Sequence, residues 1–404
     1  MRAGVAYCDA TEAFAAGYQL ARDAASNGGM SEAQLLLLFC NGATHYSQLL
    51  AGARQFCGPT TQIIGGSAVG VICHDKITIE GKPAIAMALQ AAEVSFQSVL
   101  ATNLNRDAVQ AGKTLASQLE HDVDAKLLLL FYDSVRYAGS VQQPAVLNPS
   151  PPLLNSLIRH LGTAIPVAGA GLLADLQFSA TKQFFQHQVI DNAAIAVLLK
   201  GHLTPYIAAM HGCKPLNNSK FTITRSFGQF VYELDKQPAC QVLDKAIGHT
   251  AWRQQKPVSH YALGVAFPHH GKSHYSSSFV TRLISGVLPN DEGIILFEPD
   301  LPEGCIVQLM QRSDANIMAA TQAQTQALLQ QVADDRQSAV AALYFDCAGR
   351  IRQGLSEARL VQQQLAAAKI PMLGIYTGVE IAPIGNQSRS LDWSGVLVIL
   401  TTAR

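Results

Sequence analysis

The sequence predicts a layered α/β protein with mixed sheets, built from repeated strand–helix–strand units and divided into two domains. Three observations lead there. A short apolar run returns three times, as "AQLLLLFCNGATH" (33–45), "AKLLLLFYDSVRY" (125–137) and, more loosely, "AVAALYFDCAGRI" (339–351). Runs of this length that end in small or polar residues read as buried strands. Helical and extended patterns then alternate after each run, which is the signature of α/β layers. The length, 404 residues, exceeds what one core usually supports.

The elements follow in order. Asp9 and Glu12 have the spacing of a capping box that opens a first helix. After the first run come a helical stretch, "SQLLAGARQFCG", and two strands, "TQIIGGSAVGVI" and "GKPAIAMAL". After the second, Ser150 followed by Pro151 and Pro152 reads as a cap with proline in the first turn. The strands "AIPVAGAGLLAD" and "DNAAIAVLL" come next. After the third, Leu355, Ala358, Val361 and Leu365 form a helical apolar stripe, and "IPMLGIYTGVEIAP" and "SGVLVIL" close the chain. Residues 211–239, "HGCKPLNNSKFTITRSFGQFVYELDKQPA", instead alternate like antiparallel hairpins. The expected division is 1–220, holding two related units, and 221–404, holding one elaborated unit.

Composition excludes several classes. Hydrophobic residues make up 49% and charged residues 14%, with 29 basic against 29 acidic and no basic run. Nucleic acid is therefore not expected as a partner, because phosphate neutralisation dominates such binding. No apolar run nears the roughly 18 residues that a membrane span needs. The N-terminus shows no signal peptide, and eight cysteines occur without a CxxC pair. Reduced thiols in a cytoplasmic chain are the expectation.

Chemistry concentrates at two strand exits of the third unit: Asp346, Cys347 and Arg350 at one, Tyr376, Thr377 and Glu380 at the other. Ligands of α/β sheets bind at such exits. Arginine offers a fork to a carboxylate, and an acid can take an amine or a hydroxyl. The same residues could equally be buried ion pairs that tie the loops together. Cys347 reads as an ordinary buried thiol, because only two residues separate it from Arg350 where a phosphatase loop needs five. "VAGAGLLAD", with Asp191 downstream, fits a dinucleotide spacing, but the residues after it alternate like a strand instead of opening a helix. Among the histidines, His269, His270 and His274 crowd one polar loop. His45, His74 and His211 stand beside apolar strands, where one imidazole in a dry pocket could hold haem.

With "LLLLF", "IIGGSAVG", "HGCKP", "TITRSFGQFVYELDKQPA", "LPEGCIVQLM", "LYFDCAGR" and "IPMLGIYTGVEIAP" assembled, the chain resembles the FIST-domain family, an N-terminal FIST unit followed by the C-terminal one. The resemblance implies an intracellular sensory module that binds small ligands, amino acids having been proposed. One branch binds haem, senses nitric oxide and regulates a histidine kinase, and a chain without a kinase segment is similar to it. The family's glycine–glutamate pair is Val379–Glu380 here. The expectation is therefore a cytoplasmic sensor, not an enzyme, with no catalytic residue and no separate metal site. Haem would use His74, His211 or His45. The alternative is a small ligand, such as an amino acid, held by Asp346, Arg350, Tyr376 and Glu380, with Ser67 of "IIGGSAVG". A histidine kinase, a gas or small molecule, and a second copy of the chain are the expected partners.

Overall fold

Each of the three apolar runs becomes an inner strand of its own six-stranded sheet. The computed structural model describes residues 1–119, 124–140, 142–162, 165–267, 279–351, 356–385 and 387–403. The first unit runs β1 (Arg2–Asp9), α1 (Ala13–Asn27), β2 (Leu35–Cys40), α2 (Tyr46–Cys57), β3 (Gln62–Ser67), β4 (Val71–Ile72), β5 (Ile77–Thr78) and β6 (Pro83–Gln90). The second runs β7 (Val94–Ala101), α3 (Ala108–Gln118), β8 (Ala125–Asp133), a short ribbon β9 (Val135–Tyr137) and β10 (Val146–Leu147), α4 (Ser150–Leu161), β11 (Val167–Leu172), β12 (Gln183–Phe185), β13 (Gln188–Ile190) and β14 (Ala194–Gly201).

The third unit opens with β15 (Thr204–Met210) and is then interrupted by β16 (Cys213–Phe227), β17 (Phe230–Leu234), β18 (Gln237–Pro238), α5 (Ala239–Ile247), β19 (Tyr261–Ala266), β20 (Phe279–Val287), β21 (Ile294–Leu296) and β22 (Ile306–Arg312). It resumes with α6 (Asp314–Asp334), β23 (Gln337–Cys347), α7 (Ser356–Ala367), β24 (Met372–Thr377), β25 (Val379–Ile384), β26 (Gln387–Leu391) and β27 (Gly395–Ala403).

The strand orders reveal how the units combine. They are β1-β6-β2-β3-β12-β13, β7-β14-β8-β11-β25-β26 and β15-β27-β23-β24-β4-β5. Each sheet is four strands of one unit completed by a hairpin from another: the second unit lends to the first, the third to the second, the first to the third. The middle pairs, β2–β3, β8–β11 and β23–β24, are parallel, and their neighbours antiparallel. The mixed α/β architecture that the repeats predict is thus present, in a closed ring of exchanges.

The inner faces of all three sheets meet in one core that includes Leu37, Phe39, Leu129, Phe131, Leu343 and Phe345. Phe131 stands edge-on to Phe39 at 5.3 Å and to Phe345 at 5.7 Å between ring centroids, three equivalent residues of the three runs. The outer faces lie under helix pairs, α1 and α2, α3 and α4, α6 and α7. This explains why the runs read as continuous apolar stretches, since strands covered on both faces have no solvent side to alternate toward. In the third helix pair, Ala358, Val361 and Leu365 are buried as the stripe requires, while Leu355 lies outside the described residues. At Gly65 and Gly169, φ is positive and a Cβ would sit 1.8 and 2.0 Å from the Leu38 and Leu130 carbonyl oxygens, so these parallel pairs need glycine there.

Two local expectations change. Asp9 and Glu12 form no capping box: α1 starts after Glu12 without a side-chain cap. Asp9 stays extended because β1 pairs with β6 as far as Pro83, and its carboxylate accepts from the Thr11 hydroxyl at 2.7 Å. In α4, Pro149 holds the cap position and Ser150 is the first helical residue, its hydroxyl engaged elsewhere.

The insertion is all antiparallel, as its alternation predicts. Because β16 pairs with both β22 and β17, the order β16-β22-β19-β20-β21-β17 closes on itself as a barrel. Ile223, Val231, Trp252, Leu263, Ile284 and Leu309 fill it, with Cys240 and Leu243 of α5. Residue 220 lies within β16. No described helix is long and apolar enough to cross a membrane.

Candidate functional site

Parallel registers place equivalent residues at the three strand exits. Cys40 faces Ser67, Tyr132 faces Gly171, and Asp346 faces Tyr376. Cys40, Tyr132 and Tyr376 belong to the helix-side clusters and not to the central core, so the chain builds one kind of exit cleft three times and fills it with different chemistry. Ser67 is therefore the first-unit counterpart of Tyr376 and not its neighbour. It is buried and accepts from the Lys182 amide at 3.3 Å.

The third exit brings together Asp346, Arg350, Tyr376 and Glu380, all essentially inaccessible to water. Arg350 Nε lies 3.1 Å from Asp346 Oδ1 and 3.5 Å from Glu357 Oε1. Its Nη1 donates to the Met210 carbonyl, where β15 hands over to the barrel, and to the Trp393 carbonyl at 3.4 Å. One guanidinium so joins the ends of β15, β23 and α7 to the turn before β27. Glu380 accepts from the Thr377 hydroxyl at 2.9 Å and from the Ser394 amide at 3.2 Å. Burial pushes Asp346 up to about 7 and raises Glu380 well above the carboxylate range. Burial likewise raises the Cys347 thiol, the reverse of what activates a nucleophile. Of the two readings open from sequence, this geometry matches the lock that ties strand exits together.

The haem candidates sit apart. His45 caps α2 and His74 lies in the β4–β5 turn, both exposed. His211 is partly buried where β15 leaves the core, and its Nδ1 accepts from the Cys213 amide at 2.9 Å. Burial, with the Arg350 charge second, pushes this imidazole down to about 4. His269, His270 and His274 lie outside the described residues.

A cavity of about 410 Å³ opens instead at the second exit, in the seam between the three-sheet core and the barrel. The core contributes Ser134, Asn148, Leu173 and Val379, the barrel side Phe297 and Glu298. Its volume falls in the range of small-ligand sites, and no histidine is among its described lining residues, so these residues do not fit a haem ligated by His45, His74 or His211. Glu298 is held by Ser150 at the start of α4, from the hydroxyl at 2.5 Å and the amide at 3.3 and 3.4 Å. Beside the Tyr132 hydroxyl lies the buried Ser134 Oγ. Gly171 and Gly378 keep their faces clear beside it, since a Cβ would meet that oxygen at 2.2 and 3.0 Å.

Behind Glu298, the barrel is fastened to the core. Arg282 of β20, fully buried, donates to both Asp300 oxygens, to the Ser390 carbonyl at 3.1 Å, and lies 3.8 Å from Asp392. The Asp392 carboxylate also accepts from the Leu283 amide at 2.9 Å. Burial, with the charge of Asp392 second, pushes Glu298 up to about 8, and burial pushes Asp392 up to about 6. Sequence reasoning passed over Glu298, Arg282 and Asp392. The one local signal is "LFEPD", an acid placed straight after an apolar strand and before proline.

Three sheets completed by exchanged hairpins, a barrel inserted in the third unit and a partly open cavity in the seam are the architecture of a two-part ligand-binding protein. Family comparison makes this specific. Residues 34–237 match the FIST N domain and 239–383 the FIST C domain, and the chain belongs to the FIST family, sensory signal-transduction domains that bind small ligands. No curated relative matches the chain. Among solved structures, the crystal structure of a cyanuric acid hydrolase from A. caulinodans aligns at 9% identity over 100% of this chain and 99% of that one, with a TM-score of 0.36, too weak a likeness to carry an argument.

Proposed function

We propose that the protein is a cytoplasmic sensor whose ligand enters the seam cavity beside Ser134 and Glu298, and that occupancy changes how the barrel sits on the core for a partner histidine kinase to read. The observation that carries this reading is that both bodies line the cavity, so a ligand there touches both and has different affinities for their different arrangements. The Arg350 lock, at the point where β15 leaves for the barrel, gives the movement a fixed pivot. All eight cysteines are free thiols, which suits a reducing compartment. The kinase rests on the family resemblance alone.

The test is a thermal-shift screen of small metabolites on the wild-type chain and on Ser285→Trp, which fills the cavity from the barrel side. A ligand raises the melting temperature by mass action only if it binds the folded state. Compounds that stabilise the wild type and leave Ser285→Trp unmoved support the reading; equal stabilisation of both removes it. Haem with nitric oxide is the second reading, and His211, the one candidate held partly away from water, is the residue it would use through Nε2. A stoichiometric Soret band that survives in His45→Ala and His74→Ala and vanishes in His211→Ala would establish it.

A further inference from the structure

We propose that the seam cavity selects a small amine with an apolar body, whose ammonium group pairs with Glu298 and displaces a proton from it. The inference rests on the cavity being the ligand site and concerns what that site accepts.

Charge carries the argument first. In the seam the buried Arg282 lies within ion-pair distance of Asp300 and Asp392, and Arg389 also acts on Asp300. Glu298 makes no ion pair among the described residues, its bonds coming from Ser150, and it is the acid that lines the cavity. A buried charge without a partner neutralises itself or waits for one. Glu298 does the first when the cavity holds no cation: burial and the nearby acids raise it to about 8, against Arg282 and the Ser150 bonds, which favour the anion. The groups that face it come from every packed element: Asp300 on its own segment, Arg282 on β20, Asp392 in the turn before β27, Ser150 on α4 and the Tyr132 hydroxyl on β8.

The acceptors fit as well. Ser134 Oγ, on a residue only 3% exposed, lies beside the Tyr132 hydroxyl, which can supply a proton and leave the serine oxygen a lone pair. Three bonds from Ser150 leave a Glu298 oxygen with a lone pair to spare. An ammonium brings three donors and no acceptor, which suits a carboxylate that lines the cavity. The rest of the lining includes Val146, Leu147, Leu173, Phe178, Ile295 and Phe297, so the body of the ligand is apolar. Among the described lining residues there is no lysine or arginine to meet a carboxylate, so a zwitterionic amino acid is disfavoured against the corresponding amine. The exchange balances: the ligand enters as the ammonium ion, Glu298 gives its proton to solvent, and an ion pair replaces a neutral acid.

The experiment is a calorimetric titration of the full chain with phenethylamine, 2-phenylethanol and phenylalanine, in two buffers of different ionisation enthalpy and from pH 6 to 9. Phenethylamine should bind with release of close to one proton at pH 6.5, and its affinity should rise about tenfold per pH unit before levelling above pH 8. Glu298→Gln should weaken it roughly 100-fold, as loss of a buried charge partner does. Ser134→Ala should weaken it less, and Ser285→Trp should block it. If the alcohol or the amino acid binds as well as the amine and Ser285→Trp blocks them, the amine inference is overturned and the cavity stands as the ligand site. If the amine binds Ser285→Trp undiminished, both fail. Absence of binding by phenethylamine and by shorter amines overturns the inference.

Discussion

Asp346 and Arg350 lie four residues apart, 3.1 Å from carboxylate to guanidinium, and neither side chain reaches water. A pair this deep gains little over an apolar pair of the same shape, because both ions have been stripped of solvent. Its value is positional, since Arg350 also holds the Met210 and Trp393 carbonyls. Arg350→Met should therefore cost about 3–5 kcal/mol, by leaving Asp346 and Glu357 buried beside no cation. Adding Asp346→Asn should recover part of that loss. Urea unfolding of the single and double variants checks this, and a double variant no better than Arg350→Met alone would refute it.

The buried acids set the pH dependence. Asp346 is raised to about 7, Glu298 to about 8, and Asp133 and Asp392 to about 6, each chiefly by burial. An acid whose folded pKa is raised binds its proton more tightly when folded, so its contribution is complete below the unfolded pKa and is lost as pH climbs through the folded one. His211, lowered to about 4, works in the opposite sense but only between its folded value and the ordinary histidine range. Stability should fall steadily from pH 6.5 to 8.5, and Glu298→Gln should flatten the upper half of that slope. Urea midpoints across the window test it; a midpoint that rises over this window would contradict it.

Phe131 touches the equivalent ring of both other units. Phe131→Ala should cost about 3–5 kcal/mol, the range for an aromatic removed from a packed core. Because the three sheets share that core, one cooperative transition at a lower denaturant midpoint is expected. Two separated transitions would show that the sheets do not depend on one another.

Arg282 is the cation that the seam acids share. Arg282→Met should leave Asp300 and Asp392 without their partner and loosen the barrel from the core, at a cost of about 3–5 kcal/mol. Limited proteolysis should then cut near residues 210–213 and 312–314 faster than in the wild type. Unchanged cleavage kinetics would place the fastening elsewhere.

The three repeats were legible because each inner strand is covered on both faces, and a doubly buried strand must be apolar throughout. The all-antiparallel insertion was legible from its alternation for the opposite reason. The exchange of hairpins was not. β4, β5, β12 and β13 are two or three residues long, and nothing in so short a stretch says which sheet it will join. At the site, Asp346, Arg350, Tyr376 and Glu380 stood out because four polar groups end two apolar strands, and the structure gathers them. Ser67 shares their position in a different unit, a symmetry that local motifs hide. Glu298 was invisible because its character comes from Arg282, Asp300, Asp392 and Ser150, of which only Asp300 is near it in sequence.

The ring of borrowed hairpins also has a consequence for synthesis. β4 pairs with β24 through Ile72 and Gly374, so the first hairpin leaves the ribosome about 300 residues before the strand it must meet, some 15–60 s at ordinary elongation rates. Through that interval the nascent chain carries an unclaimed β edge, and the last sheet closes only when the C-terminal strands emerge. Stalled chains that end before residue 372 should keep residues 71–78 open to protease or to a chaperone, and full-length chains should protect them.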